Sequence, residues 1–332
     1  MNDSIVSVRD LCVRFPVAAG WFSRRYISAV DHVDLEIARG QFLGLVGESG
    51  SGKTTLGRAI LAAAPISQGE IVFRDDGKEI VVNELAKRDV LSFRRRAQMI
   101  FQDPYAALSP RMTVRDIIAE PLEVMKLGLS REEINQAVRE VAGKCQLDVE
   151  HLRRYPHAFS GGQRQRISIA RALVAKPSFL VADESVAALD VSIQANILNL
   201  LKSMQQELGL TFLFISHDLS VVAHVCDVVA VMYLGTLVEL APTRKLFARQ
   251  RHPYTAALLS AIPSLDPDQP QQAVKLIGEI PGPFSTPSGC RFHTRCAYAQ
   301  DRCRSEAPPW RAVDDEHYVA CHFADELDLE NA

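Results

Sequence analysis

The chain has 332 residues, of which 47% are hydrophobic, 23% charged and 7% aromatic, the balance of a globular protein in water. A chain of this length buries a sizeable core, and two compact units plus an appendage are expected rather than one domain. Its 37 Lys and Arg against 40 Asp and Glu give a net charge of −3, and with no long block of one sign a general attraction to nucleic acid is not expected.

The opening residues, MNDSIVSVRD, lack a cationic leader followed by an apolar stretch, so secretion is not expected. IVSVRDLCVRF, ISAVDHVDLEI and QFLGLVG read as strands, the last one buried and ending in glycine. Apolar residues at helical spacing start at Thr55 and run through Leu56 and Ile60 to Leu61, and Pro65 stops them. From about Arg94 to Ala170 the pattern is mostly helical, and Ser130 to Glu133 forms a capping box ahead of Ile134, Val138, Val141 and Cys145. Two apolar strands follow, FLVAD at 179–183 and TFLFIS at 211–216, separated by an Ile/Leu/Gln-rich helix. Strand, helix, strand at that spacing implies a parallel sheet. His217, Asp218, His224 and Asp227 interrupt the most apolar region, which is too short to span a bilayer. After about Ile262, Pro, Gly, Ser and Gln read as a linker into a small unit holding four of the seven cysteines.

Gly47-Glu-Ser49-Gly50-Ser-Gly52-Lys53-Thr54 fits G-x-x-x-x-G-K-[ST] between a predicted strand and a predicted helix. Its glycines let backbone N–H groups close around phosphate oxygens, Lys53 supplies a cation for the terminal phosphates, and the Thr54 hydroxyl is a Mg²⁺ ligand. Asp183, ending an apolar strand, suits Mg²⁺, and Glu184 beside it suits a general base for water. Ser160-Gly161-Gly162-Gln163, immediately before a helix, reads as a second anion cradle, which a single nucleotide does not need.

With these elements in this order, residues 4–262 resemble the ATP-binding cassette (ABC) ATPases, whose signature Ser160-Gly161-Gly162-Gln163 matches. Gln102 in FQDP resembles the family's loop glutamine, Ser185 to Asp190 the loop after the catalytic Glu, and His217 in ISHD the switch histidine. The resemblance implies an α/β fold: a RecA-like P-loop NTPase core at 1–93 and 171–262, an antiparallel β subdomain, and a helical signature subdomain at 94–170. It further implies a head-to-tail dimer that binds two ATP and closes on γ-phosphate. In it Glu184 is the base, His217 contacts γ-phosphate, and Gln102 senses Mg²⁺ and water. Gly47, Ser49, Gly50, Gly52, Lys53, Thr54, Thr55, Ser160–Gln163 and Asp190 hold nucleotide. Phe15 stands where the family stacks adenine, although Trp21, Phe22 and Tyr26 lie close by in sequence. Ser185 replaces the family's usual proline, so altered loop stiffness is expected.

Cys290, Cys296, Cys303 and Cys321 lie in a proline-rich segment with little apolar material, and small units of this kind usually need a staple. Metal ligation suits a reducing compartment better than disulfides, the spacing identifies no metal, and unligated thiols remain an alternative. Cys12, Cys145 and Cys226 read as small buried residues. The segment at 263–332, with RHPYTAALLSAIP before it, resembles the C-terminal extension of the oligopeptide/dipeptide importer ATPases, and the insert before Ala29 and LSPRMTV resemble the second ATPase of such pairs. That likeness implies a [4Fe–4S] cluster, with Zn²⁺ as the alternative, to which His293, His317 or His322 could contribute. It also implies two transmembrane permeases, a second ATPase, an extracytoplasmic solute-binding protein, no nucleic acid, and a peripheral location on the cytoplasmic face of the membrane. The contrasting expectation is a soluble cassette ATPase acting on nucleic acid or ribosomes.

Overall fold

A computed structural model of the chain describes residues 4–18, 24–187, 189–262, 278–282 and 284–329. In chain order its elements are β1 (Ser4–Ala18), β2 (Arg24–Ala38), β3 (Phe42–Val46), α1 (Lys53–Ile60), β4 (Gln68–Asp75), β5 (Lys78–Val81), α2 (Val90–Arg96), β6 (Ala97–Ile100), α3 (Pro104–Ala107), α4 (Val114–Val124), α5 (Arg131–Lys144), α6 (Gly161–Leu173), β7 (Phe179–Asp183) and α7 (Val191–Leu208). They continue as β8 (Thr211–Ser216), α8 (Leu219–Val225), β9 (Val228–Tyr233), β10 (Thr236–Pro242), α9 (Thr243–Ala248), α10 (Pro253–Ser260), α11 (Asp301–Ser305), β11 (Arg311–Asp314) and β12 (His317–Val319). They fall into two compact units: Met1–Val6, Ile37–Phe42 and Val72–Ile215 form the first, and Ser7–Glu36, Leu43–Ile71 and Ser216–Ala332 the second.

In the first unit β6, β7 and β8 run parallel, with Phe179 between Ala97 and Thr211 in register. All five residues of β7 and all six of β8 are buried, which accounts for their unbroken apolar runs. α7 makes the crossover between them, as the strand–helix–strand spacing implies. Phe42 stacks on Phe212 with ring centroids 4.6 Å apart. Within the mostly helical stretch from about Arg94 to Ala170 the sequence did not show β6: Ala97-Gln-Met-Ile100 is too short to show a period, and its pairing with β7 makes it a strand. The capping box at Ser130 and Glu133 forms as read.

In the second unit β3 pairs parallel with β9, and β9 pairs antiparallel with β10. β12 then adds to β10, with Glu239 opposite Val319, and β11 completes the edge through a hairpin with β12. The cysteine-bearing segment is therefore not short of apolar anchorage. Val319, Cys321 and Ala324 form a small core flanked by Val313, Phe323 and Leu327. Cross-strand pairing to β10, invisible in the local composition, supplies the rest. The expected linker at 263–277 lies outside the described residues.

Candidate functional site

In the second unit, buried β3 delivers the chain into a glycine turn that opens α1. The helix starts at Lys53, two residues before the apolar spacing begins, because Gly52, at φ 107°, is its N-cap. Gly52 brings no side-chain cap, so first-turn N–H groups are available to a phosphate. A Cβ on Gly47 would lie 2.2 Å from the Met232 carbonyl oxygen, and one on Gly52 2.2 Å from that of Ala29. Only glycine fits at these two positions. Gly50, at φ 79°, has nothing within 4 Å of a built Cβ, so it marks the open side of the loop. The Lys53 ammonium, itself buried, donates to the carbonyls of Gly47 (2.7 Å) and Glu48 (2.8 Å) and to Ser51 Oγ (3.3 Å). Thr54 and Thr55 stand half-buried in the first turn. Phe15 is half-buried on β1, Tyr26 is 58% exposed on β2, and Trp21 and Phe22 lie outside the described residues. His217 is exposed just beyond β8, before the α8 N-cap Asp218.

In the first unit the parallel register sets the acids. Ile100 of β6 stands opposite Ala182 of β7, so the residues two further on, Gln102 and Glu184, come level at the carboxyl ends of their strands. Gln102 Nε2 donates to Glu184 Oε2 at 2.7 Å. Asp183 is buried (3% exposed), while Glu184 turns out of the strand with φ +45° and its N–H donates to Ile215 O (2.9 Å). Carboxyl ends of parallel strands are where α/β proteins place ligands. Ser185 is buried, and its Oγ has no hydrogen-bond partner among the described residues.

Ser160 caps α6 reciprocally with Gln163: Gln163 N–H donates to Ser160 Oγ (3.4 Å) and Ser160 N–H to Gln163 Oε1 (3.0 Å). The two signature glycines differ. A Cβ on Gly162 would meet Ile193 Cγ2 at 2.5 Å, whereas one on Gly161 meets only Leu189 Cδ2 at 3.7 Å. Gly162 is thus needed for packing against α7, whereas a methyl on Gly161 would make only an ordinary contact. Asp190 is the N-cap of α7, accepting from Ile193 N (3.0 Å) and Ser192 Oγ (2.9 Å). These hydrogen bonds hold its carboxyl below the usual range.

The four late thiols are mutual electrostatic neighbours. Burial, reinforced by Cys290 and Cys303, raises the Cys296 thiol to about 11. Burial together with Cys290, Cys296 and Cys303 raises that of Cys321 to about 12. Among the described residues no three of these sulfurs lie within 4.8 Å of one another. A tetrahedral zinc, with Zn–S about 2.3 Å, needs sulfurs about 3.8 Å apart. Each of the three histidines has one ring nitrogen hydrogen-bonded, His317 Nε2 with Glu239 Oε1 (2.8 Å), His293 Nδ1 with Cys290 O (2.8 Å) and His322 Nε2 with Glu306 O (3.0 Å), while His322 Nδ1 is buried with no partner among the described residues. Cys12, Cys145 and Cys226 are buried as expected. Cys12 adjoins Asp31 and His32, but Asp31 is already paired with Arg291 and lies near Arg14, which disfavours a cation there.

Sequence reading missed Arg295, whose guanidinium makes two bonds to the Glu48 carboxylate, at 2.6 and 3.0 Å. It also missed Tyr254, whose Oη accepts from Glu48 N–H at 2.9 Å. The two arginines of GCRFHTRC, Arg291 and Arg295, stand out in the sequence, but a separation of 247 residues hides the partner of Arg295.

Residues 30–187 match the family model for the ABC transporter, and residues 238–303 match the model for the oligopeptide/dipeptide transporter C-terminal region. A Brucella ovis protein named for peptide import and ATP binding is 49% identical over 317 residues, covering 96% of this chain and 97% of that one. The Di/tripeptide transport ATP-binding protein DppF of Pseudomonas aeruginosa is 45% identical over 326 residues, 98% and 99% of the two chains. Among solved structures, the ATP-binding cassette MJ0796, in a dimeric post-hydrolysis state bound to ADP and Pi, gives a TM-score of 0.63 at 27% identity, covering 72% of this chain and 99% of that one. The chain belongs to the ABC transporter ATPases and carries the oligopeptide/dipeptide transporter C-terminal region. Its fold is the cassette fold, an α/β P-loop NTPase core with an antiparallel β subdomain, and its reaction is hydrolysis of ATP. Among the described residues no helix is long and apolar enough to cross a membrane.

Proposed function

We propose that the chain powers uptake of peptides or related small solutes as the ATP-hydrolysing subunit of an importer. The observation that carries this is similarity along nearly the whole chain, including the C-terminal extension, to proteins named for peptide transport. In this reading it works peripherally on the cytoplasmic face of the membrane. Its partners are two permeases, a second cassette ATPase placed head to tail, and, indirectly, an extracytoplasmic solute-binding protein. Each nucleotide is held by the phosphate loop of one cassette and Ser160-Gly161-Gly162 of the other, with Phe15 on the adenine.

The residue roles follow the chemistry. Backbone N–H groups of 47–54 and Lys53 hold the phosphates. Thr54, Gln102 and Asp183 are the residues that would hold Mg²⁺, which when bound neutralises phosphate charge. Glu184 is the general base for water, oriented by the hydrogen bond from Gln102, and His217 contacts the γ-phosphate. Asp190, which fixes the start of α7, is placed with the residues that hold nucleotide. Cys290, Cys296, Cys303 and Cys321 would hold a [4Fe–4S] cluster, a reading supported by four thiols close enough to act on one another electrostatically.

Two experiments test this reading. In cells lacking the chain, uptake of labelled di- and oligopeptides falls and is restored by re-expression; unchanged uptake contradicts the peptide assignment. Anaerobic purification yields a brown protein containing iron and acid-labile sulfide, and a colourless, iron-free protein contradicts the cluster.

A further inference from the structure

The phosphate loop carries an acidic residue of its own. Glu48 directly follows Gly47, and a bare carboxylate there repels the phosphates the loop is built to bind. The structure shows what offsets it. Arg295, with a side chain 6% exposed, makes a two-pronged ion pair with Glu48, the strongest geometry available to such a pair. The Glu48 backbone is fixed as well, its N–H donating to the hydroxyl of buried Tyr254.

Arg295 is itself held tightly. It lies in the turn between Cys290 and Cys296, where Arg295 N–H donates to Phe292 O (3.0 Å) and His293 N–H to Cys290 O (3.0 Å). Phe292, 2% exposed, packs against Tyr233 and Tyr254 with ring centroids 5.3 Å from each. A second strut leaves the same turn: Arg291 bonds Leu234 O and Asp31. The adjoining Gly235 N–H donates to Ser51 O at 2.8 Å. The cysteine-bearing turn thus reaches the phosphate loop at Glu48 directly and at Ser51 through the β9–β10 turn.

We propose that Arg295 is a positioning residue of the phosphate loop: it neutralises Glu48 and holds it off the phosphates, so that nucleotide affinity depends on an intact C-terminal extension. This rests on the reading that residues 47–54 hold the phosphates. Arg295 touches no reacting atom, so its loss acts on affinity more than on the chemical step.

The test compares wild type with Arg295→Gln, Arg295→Lys, Glu48→Gln, the double variant Glu48→Gln/Arg295→Gln, and Lys53→Ala as a control. MgATP affinity, KM, kcat and thermal midpoint are measured on the full chain. Arg295→Gln is expected to weaken nucleotide binding and raise KM by about tenfold or more, as expected when a half-buried carboxylate beside the phosphates loses its cation, with kcat within about threefold. Arg295→Lys, keeping the charge but not the fork, shows a smaller shift in the same direction and serves if Arg295→Gln does not fold. The double variant returns affinity to near the Glu48→Gln value, because the carboxylate that needed neutralising is gone. Unchanged KM in Arg295→Gln with only a lower thermal midpoint, or losses that add in the double variant, overturns the proposal. Normal nucleotide binding by Lys53→Ala would instead overturn the phosphate-loop reading on which it rests.

Discussion

The signature glycines make opposite predictions, though adjacent in sequence. In Gly162→Ala the new methyl is built 2.5 Å from Ile193 Cγ2, against about 3.5–4.0 Å for carbons in contact. Ile193 is β-branched and stiff at χ1, so relief requires α7 to retreat by roughly 1 Å. Overpacking of this kind costs about 1–3 kcal/mol, offset by up to about 1 kcal/mol from replacing a helical glycine with alanine. The expected net loss is about 1–2 kcal/mol. In Gly161→Ala the nearest atom is 3.7 Å away, so stability is unchanged or rises by up to about 1 kcal/mol, while a methyl enters the proposed cradle for the partner's nucleotide. Denaturant titration of Gly162→Ala, Ile193→Ala and the double variant forms a cycle. The cost of Gly162→Ala should vanish when Ile193 is alanine, and Gly161→Ala should lose cooperative ATP turnover without losing stability. An equal loss from Gly162→Ala in both backgrounds would refute the packing argument.

Three further outcomes are expected. Glu184→Gln keeps the hydrogen bond from Gln102, since its amide oxygen still accepts, and removes the base; ATP binding is retained while single-turnover hydrolysis falls by about 10²-fold or more, and undiminished hydrolysis refutes the role. His252 is buried with Nδ1 accepting from Tyr254 N–H (3.0 Å), and burial lowers it to about 3 from 6.5. Its folded pKa is below its unfolded one, so its contribution is complete above pH 6.5 and is lost towards pH 3, at up to about 1.4 kcal/mol per pH unit. His252→Asn, which keeps a capping acceptor, should flatten stability across that window, and identical slopes contradict this. Glu239, fully buried, accepts from Arg251 N–H, His252 N–H and His317; Glu239→Ala should destabilise by about 3–5 kcal/mol in thermal or denaturant unfolding, and a change below about 1 kcal/mol would show that these donors find other partners.

What could be read from the chain follows the range of the forces involved. The phosphate-loop turn, the capping box at Ser130 and the β7–α7–β8 crossover are written in neighbouring residues, and each forms. β6 was hidden because four residues carry no period, and only its pairing with β7 makes it a strand. Motif order marked Gln102 and Glu184 separately, but their hydrogen bond, set by the parallel register of β6 and β7, appears only in the structure. The Arg295–Glu48 pair and the β11–β12 hairpin join parts of the chain far apart in sequence, and no local pattern announces them. Gly162 illustrates a further limit: the motif identifies the glycine, while the reason for it lies on α7.

If this ATPase drives an importer, it is bound to membrane partners in the cell. The most direct test is to isolate the tagged chain from gently solubilised native membranes and identify what remains bound. Two polytopic permeases and a second cassette ATPase are expected, with ATP turnover stimulated by a peptide-loaded solute-binding protein. Recovery of ribosomes or nucleic acid without polytopic partners would contradict it.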